Sequence, residues 1–401
     1  MKKTKAIGAM ILGFVLLFSL TACGANASAG DAAGKAQETV TEETQEPGAV
    51  EPEAADRAGD SVSEGNGSDA QAEEAETDTL VQESVDASTQ NSATASAETS
   101  TAAAPTSAAA SDGDPVVYFT SDISAEGLVR IYDRLGWTPS GKTAVKISTG
   151  EPPASNYLRP ELIKDLVKKV DGTIVECNTA YGGSRGSAAM HKQVAEDHGF
   201  TAIADFDLLD EEGEVEWPVT GGTRLDRAIL GSHAENYTDW VILSHFKGHA
   251  MAGFGGAIKN VAIGMSSPSG KVLVHTAGTK TSGSIWYDDQ DAWLEALPEM
   301  VSAVRDHVGA DHIIYINVMN RLSVDCDCDG NPAEPDMHDI GIVAGFDPVA
   351  VDQACVDMVY EAPDSASLVE RMESRHGIHA LEHGEEIGLG SRTYQLVNID
   401  K

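Results

Sequence analysis

The sequence predicts an α/β domain with a mostly parallel sheet and helices on both faces, preceded by a disordered tether. Two observations predict the domain: short β-branched runs alternate with segments of helical apolar spacing, and glycine-rich turns follow the runs. A third predicts the tether: the first part of the globular-length chain carries no aromatic residue at all between Gly24 and Pro115.

The elements follow in order. Residues 1–22 open with Lys2, Lys3 and Lys5, continue as an apolar run to about Leu20, and end in small residues. That is the pattern of a secretory signal, and the run is too short for a comfortable membrane-spanning helix. Residues 23–115 are rich in Ala, Ser, Thr, Glu and Gly, with only Lys35 and Arg57 as cations. Such a segment buries too little apolar surface to offset the entropy of ordering it, so a self-repelling acidic linker is expected. Residues 116–401 form the globular part. A strand is predicted at 116–119, then a Ser-capped helix over 124–135, a strand at 144–147 and a helix over 159–170 that stops at Asp171-Gly172. A strand at 173–176 leads into the turn 181–186, a helix over 187–198 and a strand at 201–206. The second half repeats the pattern. A buried strand spans 239–244, a helix interrupted or kinked at Pro298 spans 290–308, and another strand spans 312–318. Asp347-Pro348 then opens a helix to about Tyr360. The formal net charge of -37 makes nucleic acid an unlikely partner by composition, so none is expected.

The densest chemical segment follows the 239–244 strand: Ser244-His245-Phe246-Lys247-Gly248-His249, then Gly253 to Asn260. His245 and His249 could ligate a metal or shuttle protons. Lys247 and Lys259 suit a phosphate or carboxylate. Gly255 and Gly256 allow close backbone approach, and a helix beginning near Gly256 would aim free N–H groups at an anion. Arg185, among glycines, is a candidate clamp for the same small anionic ligand. Open sheets place such sites beyond the carboxyl ends of their strands.

Several of these segments resemble known families. Leu20-Thr21-Ala22-Cys23-Gly24 resembles the lipobox of bacterial lipoproteins. The resemblance implies a lipid on Cys23 and a chain anchored at the extracytoplasmic face of the cell membrane. The segments Glu176 to Gly186, His245 to Asn260, Asp325-Cys326-Asp327-Cys328-Asp329-Gly330 and Asp347 to Ala354 together resemble the family called domain of unknown function 362. Many of its members carry a ferredoxin-like module, so the resemblance implies an iron–sulfur cluster or a divalent metal as cofactor. The clustered Cys-x-x-Cys-x-x-Cys spacing of that module is missing here.

The cysteines leave alternatives open. Beside Cys23 there are Cys177, Cys326, Cys328 and Cys355. Four thiolates would suffice for zinc or a cluster, with Cys326 and Cys328 as the nearest pair. Export adds a disulfide reading for any of them, and free structural thiols are the remaining alternative. Asp325, Asp327 and Asp329 form a weaker candidate for an oxygen-ligand cation site.

One block, His249 to Gly255-Gly256 to Lys259 to His275, is also similar to a stretch of the nickel-pincer lactate racemases. That resemblance implies Lys259 as a cofactor attachment point, His275 as a metal ligand and His249 as an acid/base. His376, His379 and His383 are read as a solvated helix face. Three functions are therefore expected as alternatives: a metal- or iron–sulfur-linked redox or binding protein, a racemase- or isomerase-like enzyme, and a non-enzymatic binder of a small anion.

Overall fold

The structure, a computed structural model, describes residue 111 and residues 113–400. The signal, Cys23 and nearly all of the tether lie outside the described residues.

The first half builds β1 (Val116–Thr120), α1 (Ala125–Leu135), β2 (Thr143–Lys146), α2 (Pro160–Lys169), β3 (Gly172–Glu176), α3 (Ala188–Asp197) and β4 (Phe206–Leu208). A two-stranded excursion follows, β5 (Glu214–Pro218) with β6 (Arg227–Gly231). Then come β7 (Asp239–His245), the small ribbon of β8 (Lys247–His249) and β9 (Gly253–Gly255), α4 (Ala257–Ala262), α5 (Pro268–His275) and α6 (Gln290–Val308). The chain finishes with β10 (Ile313–Met319), β11 (Gly341–Gly345), α7 (Pro348–Glu361), α8 (Ala366–Ser374), α9 (His379–Glu386) and β12 (Gln395–Asn398).

Eight strands form one sheet in the order β12-β1-β11-β10-β7-β2-β3-β4. All neighbours run parallel except where β11 meets β1 and β10. The alternation of side chains along each strand divides two cores between the faces. Val145, Val241, Leu243, Ile314 and Ile316 join the α1 and α2 residues Leu128, Ile131, Ile163 and Leu166. Ala144, Trp240, Ile242, Ile313 and Tyr315 join α4, α6 and α7 through Ile258, Val301 and Val351. Each fully buried aliphatic side chain contributes roughly 1.5–3 kcal/mol, so both faces hold the sheet.

Local signals account for the helix ends. The Ser124 hydroxyl accepts from Gly127 N at 3.0 Å, and Gly136 closes α1 with φ 65°. Asp347 caps α7 by accepting from Val349 N and Ala350 N. Two expectations need correction. The strand predicted at 201–206 is a short 3-10 turn at Phe200–Ala202 followed by β4, because Phe200 turns into the core. Of the two expectations at Pro298, an interruption or a kink, the interruption is overturned: α6 runs as a single element through Pro298. No helix among the described residues is long and apolar enough to cross a membrane.

From β2 the chain winds outward through β3 to β4, then returns to place β7 on the other side of β2. The carboxyl ends of β2 and β7 therefore flank a point where the winding reverses, the position at which open α/β sheets bind ligands.

Candidate functional site: a cationic cavity at the sheet reversal

At that point lies a cavity of about 350 Å³. Its wall includes Lys146 from the end of β2, Glu176 from β3, Ser244 and His245 from β7, and Lys247 and His249 from the β8–β9 ribbon. Lys259, Lys271 and His275 from α4 and α5 and the Cys326–Cys328 turn complete it. Trp286, 72% exposed, stands at its rim.

Three lysines define its electrostatics. Lys146 is buried and donates to Asn260 Oδ1 at 2.9 Å and to the Ile147 carbonyl. Lys271 is buried and donates to the Ser266 carbonyl at 2.6 Å. Lys259 is partly buried and has no hydrogen-bond acceptor among the described residues. None of the three has a carboxylate partner there. Burial, and after it neighbouring cations, pushes the Lys259 amine down to about 7. Burial likewise pushes Lys146 down to about 8, and Lys271 downward.

Two histidines face this charge in neutral form. His249 Nδ1 accepts from both Met251 N at 3.1 Å and Ala252 N at 3.0 Å. That fixes its proton on Nε2, which is left as a donor. Burial, then Lys259, holds its pKa well below the usual range. His275 stacks on Trp293 with ring centroids 5.1 Å apart, and burial pushes it down to about 3. Its Nδ1 is buried without a partner.

The segment from residue 143 to residue 357 matches the family model described as Domain of unknown function (DUF362). The chain belongs to this family. Among solved structures it is similar to the lactate racemase apoprotein from Thermoanaerobacterium thermosaccharolyticum, at 14% identity and a TM-score of 0.38. That match covers 60% of this chain and 56% of the other. A protein from Thermotoga maritima matches at 11% identity and a TM-score of 0.34, over 65% of this chain and 58% of that one. The chain thus spans less than two thirds of either. No curated protein matches the sequence.

Within the DUF362 domain, several residues expected to meet a ligand hold the wall instead. Arg185 is buried, with Nε on Glu151 at 3.1 Å, Nη1 on Glu176 at 3.1 Å and Nη2 on the Tyr181 hydroxyl at 2.8 Å. Two carboxylates already satisfy it, so it is a strut rather than a clamp. His245 has both nitrogens engaged, Nδ1 with Asp327 at 2.8 Å and Nε2 with the Asn320 carbonyl at 2.6 Å. It positions Asp327 and has no nitrogen left for acid/base work. Lys247 completes that tie, 3.2 Å from Asp327 Oδ2 and 2.8 Å from the His245 carbonyl.

The α4 N-terminus is also corrected. Its N–H groups do not await an anion: Asp352 from α7 accepts from Ala257 N at 2.7 Å and Ile258 N at 3.0 Å. A Cβ on Gly256 would sit 2.3 Å from Asp352 Oδ1, so the glycine admits this internal carboxylate. At Gly255 a Cβ would point toward Lys259 Cδ at 3.5 Å and Lys247 Nζ at 3.6 Å, placing that glycine under both lysines.

The four cysteines do not converge. Cys326 and Cys328 are joined as a disulfide. Cys177 is buried and donates to the Met265 carbonyl, and Cys355 is buried beside Asn317. A four-cysteine cluster does not fit this donor set. Among the described residues one group could hold a metal ion, His249 with Cys326 and Cys328, whose donor atoms lie within 4.8 Å of one another. Joined as a disulfide, the two sulfurs are not thiolate ligands, so that group needs the reduced pair. The three aspartates of the loop part company: Asp325 meets Arg371, Asp327 meets His245 and Asp329 meets Asn331 N. They form no oxygen cage.

Lys146 and Lys271 were missed in the sequence. The signal for Lys146 was a lysine closing a buried strand, since all four positions of β2 are buried. Lys271 carried less: it sits in an otherwise apolar helix, Val272-Leu273-Val274.

Proposed function

We propose that this DUF362 domain binds a small anionic molecule in the cavity at the sheet reversal, and that a lipid on Cys23 holds the chain at the outer face of the cell membrane. One observation carries the binding reading: three lysines that have no carboxylate partner among the described residues share one cavity in a chain whose net charge is -37. Uncompensated buried cations are costly, and an anion supplied by the ligand offsets that cost. The neutral His249 adds a fixed N–H donor toward the same space, and the apolar parts of Met251, Ile263 and Trp286 suit a ligand with an apolar body.

The test is substitution of charge at constant shape. Lys259→Gln and Lys271→Gln should each weaken the binding of small carboxylates or phosphates by roughly tenfold to a hundredfold, the worth of a charged hydrogen bond. Circular dichroism should show the fold intact. Unchanged affinity in both variants would defeat the reading.

A second reading is favoured by Lys259 alone. An amine pushed down to about 7, with no acceptor among the described residues, is substantially unprotonated near neutrality, and so nucleophilic. It suits covalent attachment of a carbonyl- or acyl-bearing cofactor. Intact mass of chain purified from its native host would show an adduct on Lys259, and an unmodified Lys259 would exclude it.

A further inference from the structure

The Cys326–Cys328 disulfide has a single residue between its cysteines. The entropy that a cross-link removes from an unfolded chain grows with the loop it closes. A loop this small constrains the unfolded chain less than a long-range cross-link would, so the bond contributes comparatively little to holding the fold. Its position suggests another role. Both cysteines line the cavity, Cys326 buried and Cys328 exposed. A ring nitrogen of His249 lies within 4.8 Å of both sulfurs. Asp327 between them is pinned by His245 and Lys247, and its carbonyl accepts from Glu151 N at 2.7 Å. Behind the turn, a Cβ on Gly248 would meet the Val324 carbonyl at 2.3 Å, so the ribbon packs directly on it. The result is a fixed turn with one sulfur open and one behind it, the arrangement of an attacking and a resolving cysteine.

We propose that Cys326 and Cys328 form a reversible dithiol–disulfide centre that exchanges with small anionic thiols and disulfides drawn into the cationic cavity. The substrate class rests on the anion-binding reading above; the exchange chemistry of the pair does not. In the reduced state the Cys328 thiolate attacks one sulfur of the substrate disulfide. That bond breaks, a mixed disulfide forms on Cys328, and the first substrate thiol leaves with the proton that Cys328 gave up. Cys326, deprotonated in turn, attacks the Cys328 sulfur and expels the second substrate thiol. The balance is protein dithiol plus substrate disulfide giving protein disulfide plus two substrate thiols, with two electrons passing to the substrate. Excess small thiol drives the same steps backward.

The experiment uses the full chain, reduced and freed of reductant, with oxidised glutathione as the acidic probe and hydroxyethyl disulfide as the neutral one. The wild type should return to the Cys326–Cys328 disulfide and release both halves of the probe. Cys326→Ser should stop at a mixed disulfide on Cys328, while Cys328→Ser, altered at an exposed position, should form no adduct at a comparable rate. At low salt the acidic probe should react about tenfold or more faster than the neutral one, from electrostatic attraction to the cavity. If Cys326→Ser does not fold, acid quenching of the wild-type reaction should trap the same mixed disulfide. Absence of any adduct on Cys328 with either probe overturns the dithiol centre and leaves the anion-binding reading standing. Equal rates for the two probes overturn the anionic substrate class while keeping the exchange chemistry.

Discussion

Lys259 and Asp327 show how single residues set this site. Lys259 is held near neutrality by burial and by neighbouring cations, so an anion that binds it must restore its proton. The sign is fixed: the free amine, about 7, loses its charge as pH rises, and the bound amine keeps it. Affinity for a small anion should therefore be full below about pH 7 and fall by up to tenfold per pH unit above it, with proton uptake measurable by calorimetry in buffers of different ionisation heat. An affinity that is flat across that range would contradict the assignment. Asp327 is the opposite case. Burial raises its pKa, but His245 and Lys247 outweigh burial and hold the carboxyl below its usual range. Asp327→Ala leaves Lys247 and His245 facing one another without an anion, and should cost about 3–5 kcal/mol in chemical denaturation. The His245 to Lys259 segment was legible as a site because its chemistry is local in sequence. Its division of labour was not. Which histidine keeps a free nitrogen depends on Asn320, Asp327 and the Met251 and Ala252 amides, and spacing does not reveal those partners.

At the scale of elements, the helices with local stop and start signals were readable and the strands that depend on partners were not. Ser124, Asp171-Gly172 and Asp347-Pro348 mark helix ends by their own chemistry, and the helices fall where those residues put them. β11 and β12 exist only as partners of β1 and β10, so nothing local announces them. The junction of α4 and α7 is another long-range product. Asp352 occupies the α4 N-terminus and hydrogen-bonds Asn317 Nδ2 at 2.7 Å. Gly256→Ala should lower stability by about 1–3 kcal/mol, because the added methyl meets a carboxylate that cannot retreat from its donors. A melting temperature equal to wild type would show that α7 shifts freely. The α9 histidines, expected on a solvated face, pack against α6 instead: His383 is buried 3.1 Å from Glu299, and His379 is 3.0 Å from Glu295. The Glu299 partnership raises the His383 pKa. Its stabilising effect is present below about pH 6.5 and is lost as pH rises through the higher folded value. Glu299 is opposed by burial but pulled down to about 2 by His383 and three backbone amides, so its effect is present above about pH 4.5 and is lost as pH falls toward 2. Thermal melts should therefore show the largest gap between wild type and His383→Gln at mildly acidic pH, shrinking on both sides. A gap that widens in alkali would refute the pairing.

For the whole molecule, alternating strands and helices made the α/β class legible, and the DUF362 match confirms the family the motifs suggested. The winding order stayed hidden, because strand neighbours are decided by packing across the sheet rather than by sequence order. That order puts the ends of β2 and β7 side by side and so assembles lysines more than a hundred residues apart, Lys146 and Lys259, on one cavity. The proposed anchor belongs to this scale too. Cys23→Ala should move the chain from the membrane fraction to the soluble exported fraction without changing its anion affinity, and a variant that remains membrane-bound would remove Cys23 as the anchor. The central claim is the anion in the cavity. Calorimetric titration of the full chain with small carboxylates and phosphates, at about pH 6 and about pH 9 and repeated on Lys259→Gln, addresses it most directly. The account predicts at least one ligand that binds more tightly at the lower pH, takes up a proton at the higher, and loses about tenfold or more of its affinity in the variant. No binding at either pH, or binding indifferent to both pH and Lys259, would contradict it.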